Sequence, residues 1–335
     1  MDVTVFLPGL RIAAGMGFDP CEGLALDGLS QLLGRASTSE GDAIESAAWL
    51  SAAFGATGAG IAKLTYLLDF GEMPEGEWLR ADPVHLRPDR DRVMLFDASV
   101  LDLQADEAAS LVALLNRQFA EDGLKFVMAT PDRWYVQLPD TVSISTTPLD
   151  RVVGGDIHPH LPAGAEAMKW HRWLNEIQML LYTAPANDAR ELAGKRAANS
   201  VWVWGEGALP ASASTVFTHV VADAPAARAY AALGKLANST LGAGIAGMGE
   251  GGSVLVYLDS LSSANSVADV YGWRDALQTA ETQWFAPLWA LWREGRIDRL
   301  EIIMPGPKNT RRAVLTKSDR WKFWRAALPS KQLAV

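Results

Sequence analysis

The stretch 170–210, WHRWLNEIQMLLYTAPANDARELAGKRAANSVWVWGEGALP, decides the class of fold. It opens with Trp170, Trp173, Leu174, Ile177 and Leu181 at helical spacing. That spacing predicts an amphipathic helix over 165–182. It closes with an apolar, β-prone run at 200–204, bounded by Gly205 and Pro210, which predicts a buried strand. Between them lies a polar, basic segment holding Asn187, Arg190, Lys195, Arg196 and Asn199. Two readings of this segment stand side by side: a surface turn, or the polar wall of a ligand cleft.

Downstream, strands are expected at 215–222, 254–258, 300–304 and 313–315. A helix follows the first of them, and a long helix with an apolar face fills 273–293, kinked at Pro287. Strands alternating with helices from 200 onward indicate a parallel-rich α/β sheet. Upstream, 3–7 is a strand ended by Pro8-Gly9, and short helices fall at 24–35, 43–54 and 60–68. The segment 71–92, with three prolines and many charges, is read as a domain crossing. After it come a strand at 93–97, a helix at 106–122 capped by Asp102 or Asp106, and a hairpin of strands 125–130 and 134–138.

The 335 residues suffice for two domains, or for one domain with an insertion. Apolar residues make up 49% and charged residues 21%, which argues for a packed core rather than disorder. A net charge of -9 argues against a general nucleic-acid binder. Cys21 is the single cysteine, so no intrachain disulfide and no cysteine-based zinc site can form. The N-terminus lacks the basic start and long apolar run of a signal peptide. No apolar run reaches the roughly 18 to 20 residues of a membrane span. The expectation is a soluble protein of a bacterial-type cytoplasm.

Of the five histidines, only His158 and His160 are close in sequence. The pair is read first as a solvated loop and second as a metal site, because spacing alone is a weak signal. His219, inside an apolar strand, is read as a hydrogen-bonded core histidine. The run 242–252, GAGIAGMGEGG, lacks the Lys-Ser/Thr of a P-loop and is read as tight turns. Arg80, Arg87, Arg90 and Arg92 with Asp82, Asp89 and Asp91 are read first as a solvated, self-paired run and second as an anion clamp. In 316–325, TKSDRWKFWR, the indoles of Trp321 and Trp324 are expected to dock while Lys and Arg stems snorkel.

The segment 183–210, TAPANDARELAGKRAANSVWVWGEGALP, resembles archaeal-type cofactor-independent phosphoglycerate mutases of the alkaline-phosphatase superfamily. WLRADPVHL, RVMLFDASVLDLQADEAASLVALLNRQF and GLKFVMATPDRWYVQL look like the inserted domain of that family. The pieces LRADPVHLR, RWYVQL, LNEIQMLL and NSVWVWG resemble most specifically a bacterial group, the RpfE-type regulatory proteins. The resemblance implies an alkaline-phosphatase-like, mostly parallel α/β core with helices on both faces over 1–75 and 166–335. It implies an inserted α+β module over 76–165. It also implies an anion-contacting set of Asn187, Arg190, Asn199 and Arg80, which are equally readable as structural anchors.

The departures from that family bear on activity. Its two divalent metals need carboxylates and histidines. Where its first strand ends in a metal-binding Asp, this chain has Pro8. The stretch 258–272, LDSLSSANSVADVYG, keeps Asp259 but has no histidine, and 302–312, IIMPGPKNTRR, has neither carboxylate nor histidine. No nucleophilic Ser or Thr can be placed between Cys21 and Ser30. The expectation is therefore a non-catalytic relative with a regulatory or ligand-binding role and no catalytic residue, metal or cofactor. Its partner would be an anionic small molecule or a protein, and neither nucleic acid nor a membrane. The alternative is a metal-dependent phosphomutase or phosphatase rebuilt around Asp259, His219, or His158 with His160. A third reading is an interaction scaffold with an exposed Trp-rich patch.

Overall fold

The computed structural model describes residues 1–11, 19–140, 143–249, 251–262, 269–322 and 324–334. They form two compact units, one of Met1–Thr57 with Ser212–Val335, the other of Gly58–Ala211. The first unit begins with β1 (Asp2–Phe6), α1 (Asp27–Arg35), β2 (Ser37–Asp42) and α2 (Ser46–Ala53). β2, STSEGD, carries no apolar residue and is exposed throughout. It went unseen in the sequence because only its backbone pairing makes it a strand.

The chain then builds the second unit: α3 (Ile61–Phe70), β3 (Glu77–Asp89), β4 (Arg92–Phe96), α4 (Ala105–Gln118), β5 (Lys125–Thr130) and β6 (Arg133–Leu138). The short strands β7 (Ile144–Ser145) and β8 (Ala163–Gly164) follow, then α5 (Ala167–Tyr182), α6 (Pro185–Leu192) and β9 (Ser200–Trp204). The hairpin and the helix of 165–182 form as the spacing predicts. The segment read as a domain crossing is instead β3, the spine of an antiparallel sheet ordered β4-β3-β6-β5, with β9 also on β3. Its charges divide by position: Arg80 and Asp82 are buried, whereas Arg87, Asp89, Arg90, Asp91 and Arg92 are exposed. The cap of α4 is Gln104, whose backbone N–H donates to Glu107 at 2.8 Å, not Asp102 or Asp106.

Residues 166–211, placed with the core from sequence, cluster instead with 58–165. The cause is packing. The apolar stripe of α5 shares one buried cluster with Leu111 and Leu115 of α4 and with Trp134 and Val136 of β6. β9 pairs antiparallel with β3 from Arg80–Trp204 to Val84–Ser200, so it opens no parallel sheet.

The first unit resumes with β10 (His219–Ala222), α7 (Pro225–Leu233), β11 (Ala237–Ser239), β12 (Ser253–Tyr257), β13 (Arg299–Pro305) and β14 (Asn309–Thr316). Its sheet runs β11-β10-β12-β1-β13-β14-β2. The first five strands are parallel, and β14 and β2 join antiparallel. Mixed α/β architecture with a mostly parallel central sheet is thus as expected. Val3 and Val5 of β1 face a cluster with α1 and the helices after β12. Phe6, pointing the other way, stacks on Trp49 of α2 at 4.1 Å. Helices therefore cover both faces.

The long helix expected at 273–293 is divided. Val270–Ala280 and Ala286–Arg293 flank a π turn at Glu281–Phe285. Pro287 has no N–H to give the preceding turn, and the π turn displaces the hydrogen-bond ladder upstream of it. The C-terminal indoles are exposed rather than buried: Trp321 is 78% and Trp324 69% exposed. Among the described residues, no helix is long and apolar enough to cross a membrane.

Candidate functional site

In an open parallel sheet, ligands bind beyond the carboxyl ends of the strands. In the first unit that edge is formed by the residues after β1, β10, β12 and β13. β1 runs into Leu7-Pro8-Gly9, and the amides of Leu7 and Leu258 extend the ladder at 2.8 and 2.9 Å. Pro8 is buried. Gly9 has φ +82, and a side-chain carbon there would lie 2.6 Å from the carbonyl of Leu261 and 2.7 Å from the amide nitrogen of Ser262. The Gly9 carbonyl also accepts from the Trp273 indole at 2.8 Å. The turns after β1 and β12 are thus packed backbone against backbone.

β10 and β12 supply two carboxylates to this edge. Ala222 is level with Tyr257, so Asp223 and Asp259 follow the ends of adjacent strands. Asp223 accepts from the Leu241 amide at 3.1 Å. Burial pushes the Asp259 carboxyl up to about 6, and the charge of Asp223 adds to the shift. β13 ends in Pro305-Gly306, where the Arg11 guanidinium donates to the carbonyl and side-chain oxygen of Asn309 at 2.8 and 2.6 Å. Burial, then the charge of Arg311, lowers the Arg11 pKa. Two carboxylates, two prolines and a guanidinium do not fit a two-metal centre. No group of three His, Cys, Asp or Glu suited to a metal occurs among the described residues. Residues 263–268 of the stretch after Asp259 lie outside them.

The rebuilt-site alternative requires its residues to converge. His219 lies at the opposite end of the sheet from Asp259. It is level with Val254, five residues before Asp259, a separation of about 16 Å at strand rise. Its Nε2 meets Ser239 Oγ at 3.0 Å, and burial lowers its pKa. His158 belongs to the other unit, where it is exposed and its Nδ1 lies 2.8 Å from Asp156. Between 21 and 30, the Cys21 thiol is buried and pushed up to about 11, and the Ser30 hydroxyl donates to the Leu328 carbonyl. Neither is prepared as a nucleophile.

The four residues expected to contact an anion all lie in the second unit, in two groups. Asn187 is buried, donates to the carbonyls of Leu181 and Ala198 at 2.8 and 3.0 Å, and accepts from the Ala198 amide. Asn199 clasps both backbone groups of Leu86, at 2.7 and 2.9 Å. Arg190 is 1% exposed. It donates to the carbonyls of Arg196 and Leu101 and pairs with Glu107, whose carboxylate also accepts from the amide of the α4 cap Gln104. These three tie α6 and the loop after it to α5, β3 and α4.

Arg80 stands apart. Its guanidinium lies between the rings of Tyr135 and Trp204, 5.4 and 5.2 Å from their centroids, and pairs with Asp82 at 2.6 Å. Asp82 also accepts from the Trp204 indole at 2.8 Å and from the Trp134 amide. Burial raises the Asp82 pKa, and the Arg80 charge opposes that rise. Beside this pair, Arg133 forks onto Asp69 at 2.7 and 2.8 Å, and the Tyr135 hydroxyl donates to the same carboxylate. Asp69 and Arg133 were missed from sequence, because 64 residues separate them and no local pattern joins them. Two clefts of about 320 and 330 Å³ open elsewhere, one lined by Lys63, Glu77 and Glu206 among others, one by Glu40 and Arg311.

No family model matches the chain. Part of it is similar to the 2,3-bisphosphoglycerate-independent phosphoglycerate mutase of Methanosarcina mazei, 28% identical over 140 residues, 40% of this chain and 35% of that protein. A probable enzyme of the same name from Geobacter sulfurreducens is 28% identical over 136 residues, 40% of this chain and 34% of that one. The matches thus span about a third of the length of these relatives. Among solved structures, the PH0037 protein from Pyrococcus horikoshii aligns with a TM-score of 0.54 at 11% identity, covering 98% of this chain and 91% of that chain. The cofactor-independent phosphoglycerate mutase from Thermoplasma acidophilum aligns with a TM-score of 0.46 at 14% identity, covering 98% and 93%. Over two fifths of its length, the chain is phosphoglycerate-mutase-like in sequence.

Proposed function

We propose that this chain is a phosphoglycerate-mutase-like protein without the metal centre, a regulatory or ligand-binding protein of the RpfE type working in a bacterial cytoplasm. One observation carries the reading. At the carboxyl edge of the parallel strands, Gly9 packs against the backbone of Leu261 and Ser262, where a metal centre would need open space and side-chain ligands. Pro8 beside it is buried, and Pro305 ends β13, and neither side chain can ligate a metal.

The ligand in this reading is an anionic small molecule, and its proposed residues are Arg80 as a contact, with Asn187, Arg190 and Asn199 as supports. Arg80 is the favoured direct contact. Held between two rings beside a single carboxylate, its guanidinium has the geometry to fork onto a phosphate or carboxylate. The other three support the wall through main-chain hydrogen bonds. Thermal unfolding tests the reading, because a ligand that binds the folded state raises its stability. The melting temperature should rise with 3-phosphoglycerate, less so in Arg80→Lys, and be unmoved by Mn²⁺. A rise with Mn²⁺ alone would contradict it.

A further inference from the structure

The last thirty residues, 306–335, hold eight Lys and Arg against one acid, a net +7. The whole chain carries -9, so the other 305 residues carry -16. Such asymmetry points to an anionic partner for the basic part. The fold offsets part of this charge, pairing Arg311 with Glu40, Arg312 with Glu301 and Lys317 with Asp298, and sets Arg320 and Arg325 against main-chain carbonyls. Arg320 donates to the carbonyls of Trp292 and Ile297, both at 2.7 Å, and Arg325 donates to those of Arg35 and Ala36 at 2.7 and 3.0 Å. These bonds lash the C-terminal segment to the ends of α1 and the helix Ala286–Arg293. Arg35 and Arg293 stand there over the ring of Trp289 at 5.3 and 5.9 Å. Next to Arg320 and Arg325 in the chain, Trp321 and Trp324 stand 78% and 69% exposed.

We propose that this face, Trp321 and Trp324 with Arg35, Arg293, Arg320 and Arg325, seats on an anionic lipid surface. Indoles favour the headgroup level of a bilayer, where the ring is buried and its N–H stays wet. Arginines nearby feel the negative surface potential without individual contacts. That distinction favours lipid over nucleic acid. A strand of nucleic acid needs side chains free to fork onto phosphates. Here Arg320 and Arg325 are bound to carbonyls, and Lys317 and Lys322 are paired with Asp298 and Asp319. The charge of the two arginines still acts at a distance, because their partners are neutral. A headgroup-level contact needs no spanning helix.

The test is co-sedimentation of the full chain with vesicles of phosphatidylglycerol and phosphatidylcholine in equal parts, with phosphatidylcholine vesicles and single-stranded oligouridine as separate arms. Binding should be at least about tenfold weaker to phosphatidylcholine alone and should weaken as salt rises to about 0.5 M. The double variant Trp321→Ala/Trp324→Ala should stay folded by circular dichroism and lose anionic-vesicle binding roughly tenfold. Equal binding by the double variant, equal binding to both vesicles, binding to neither, or binding to oligouridine without vesicles would each overturn the proposal.

Discussion

Arg190 shows what one residue does in the second unit. Fully buried, it joins α6 to the start of α4 through Glu107 and the Leu101 carbonyl. Arg190→Ala should cost about 3 kcal/mol, because it strands buried acceptors, and urea unfolding would measure it. A loss of phosphate-ester binding with unchanged stability would instead make it a direct ligand contact. Asp259 makes a pH prediction. Its folded-state pKa of about 6 lies above the ordinary value of 3.8, so the native state holds the proton more tightly than the unfolded chain. This group's contribution is full below about pH 4 and is lost as pH rises through about 6. Asp259→Asn should flatten that slope and raise stability at about pH 7 by up to about 3 kcal/mol. Urea midpoints across that range check it. Residue identity was legible in the sequence, but environment was not. Arg80 and Asp82 share one charge run with Arg87 and Asp89, and only pairing of β3 with both β6 and β9 buries the first pair and leaves the second in water.

Elements were legible where apolar periodicity was strong. α5, β5, β6, β12 and β13 form within a few residues of the sequence expectation. β2 and β11 were not foreseen, because strands of Ser, Thr, Asn and Glu are made by their neighbours. The π turn was equally hidden, yet it has a structural use. It places the Glu281 carboxylate on the amides of Gly28 and Leu29 at 2.6 and 3.0 Å. α1 has no side-chain cap of its own, so Glu281 satisfies its open N-terminal donors from a distant element. Glu281→Ala should destabilise by about 2 kcal/mol and speed hydrogen exchange at those two amides. Unchanged exchange would remove the capping role. Gly9→Ala should also cost about 2 kcal/mol or more, since φ is positive and the new carbon meets the Leu261 backbone. Chemical denaturation would show it.

At the scale of the molecule, the fold class followed from strands alternating with helices, whereas the division of the chain did not. The boundary fell at 57/58 and 211/212 because α5 and β9 bury their apolar faces with α4, β3 and β6, a choice no local pattern reveals. The unit Gly58–Ala211 has its own core, and its ends meet in a bridge between Ala59 and Ala208. Expressed alone it should unfold cooperatively, by circular dichroism and fluorescence together. The candidate site was half legible: Pro8, and 302–312 without carboxylate or histidine, are plain in the sequence, whereas closure of Gly9 on Leu261 needs the fold. The most direct test of that closure is interconversion of 3- and 2-phosphoglycerate by the purified chain supplied with Mn²⁺, with and without chelator. No turnover above buffer is expected in either case. Turnover abolished by chelator and by Asp259→Asn would contradict it.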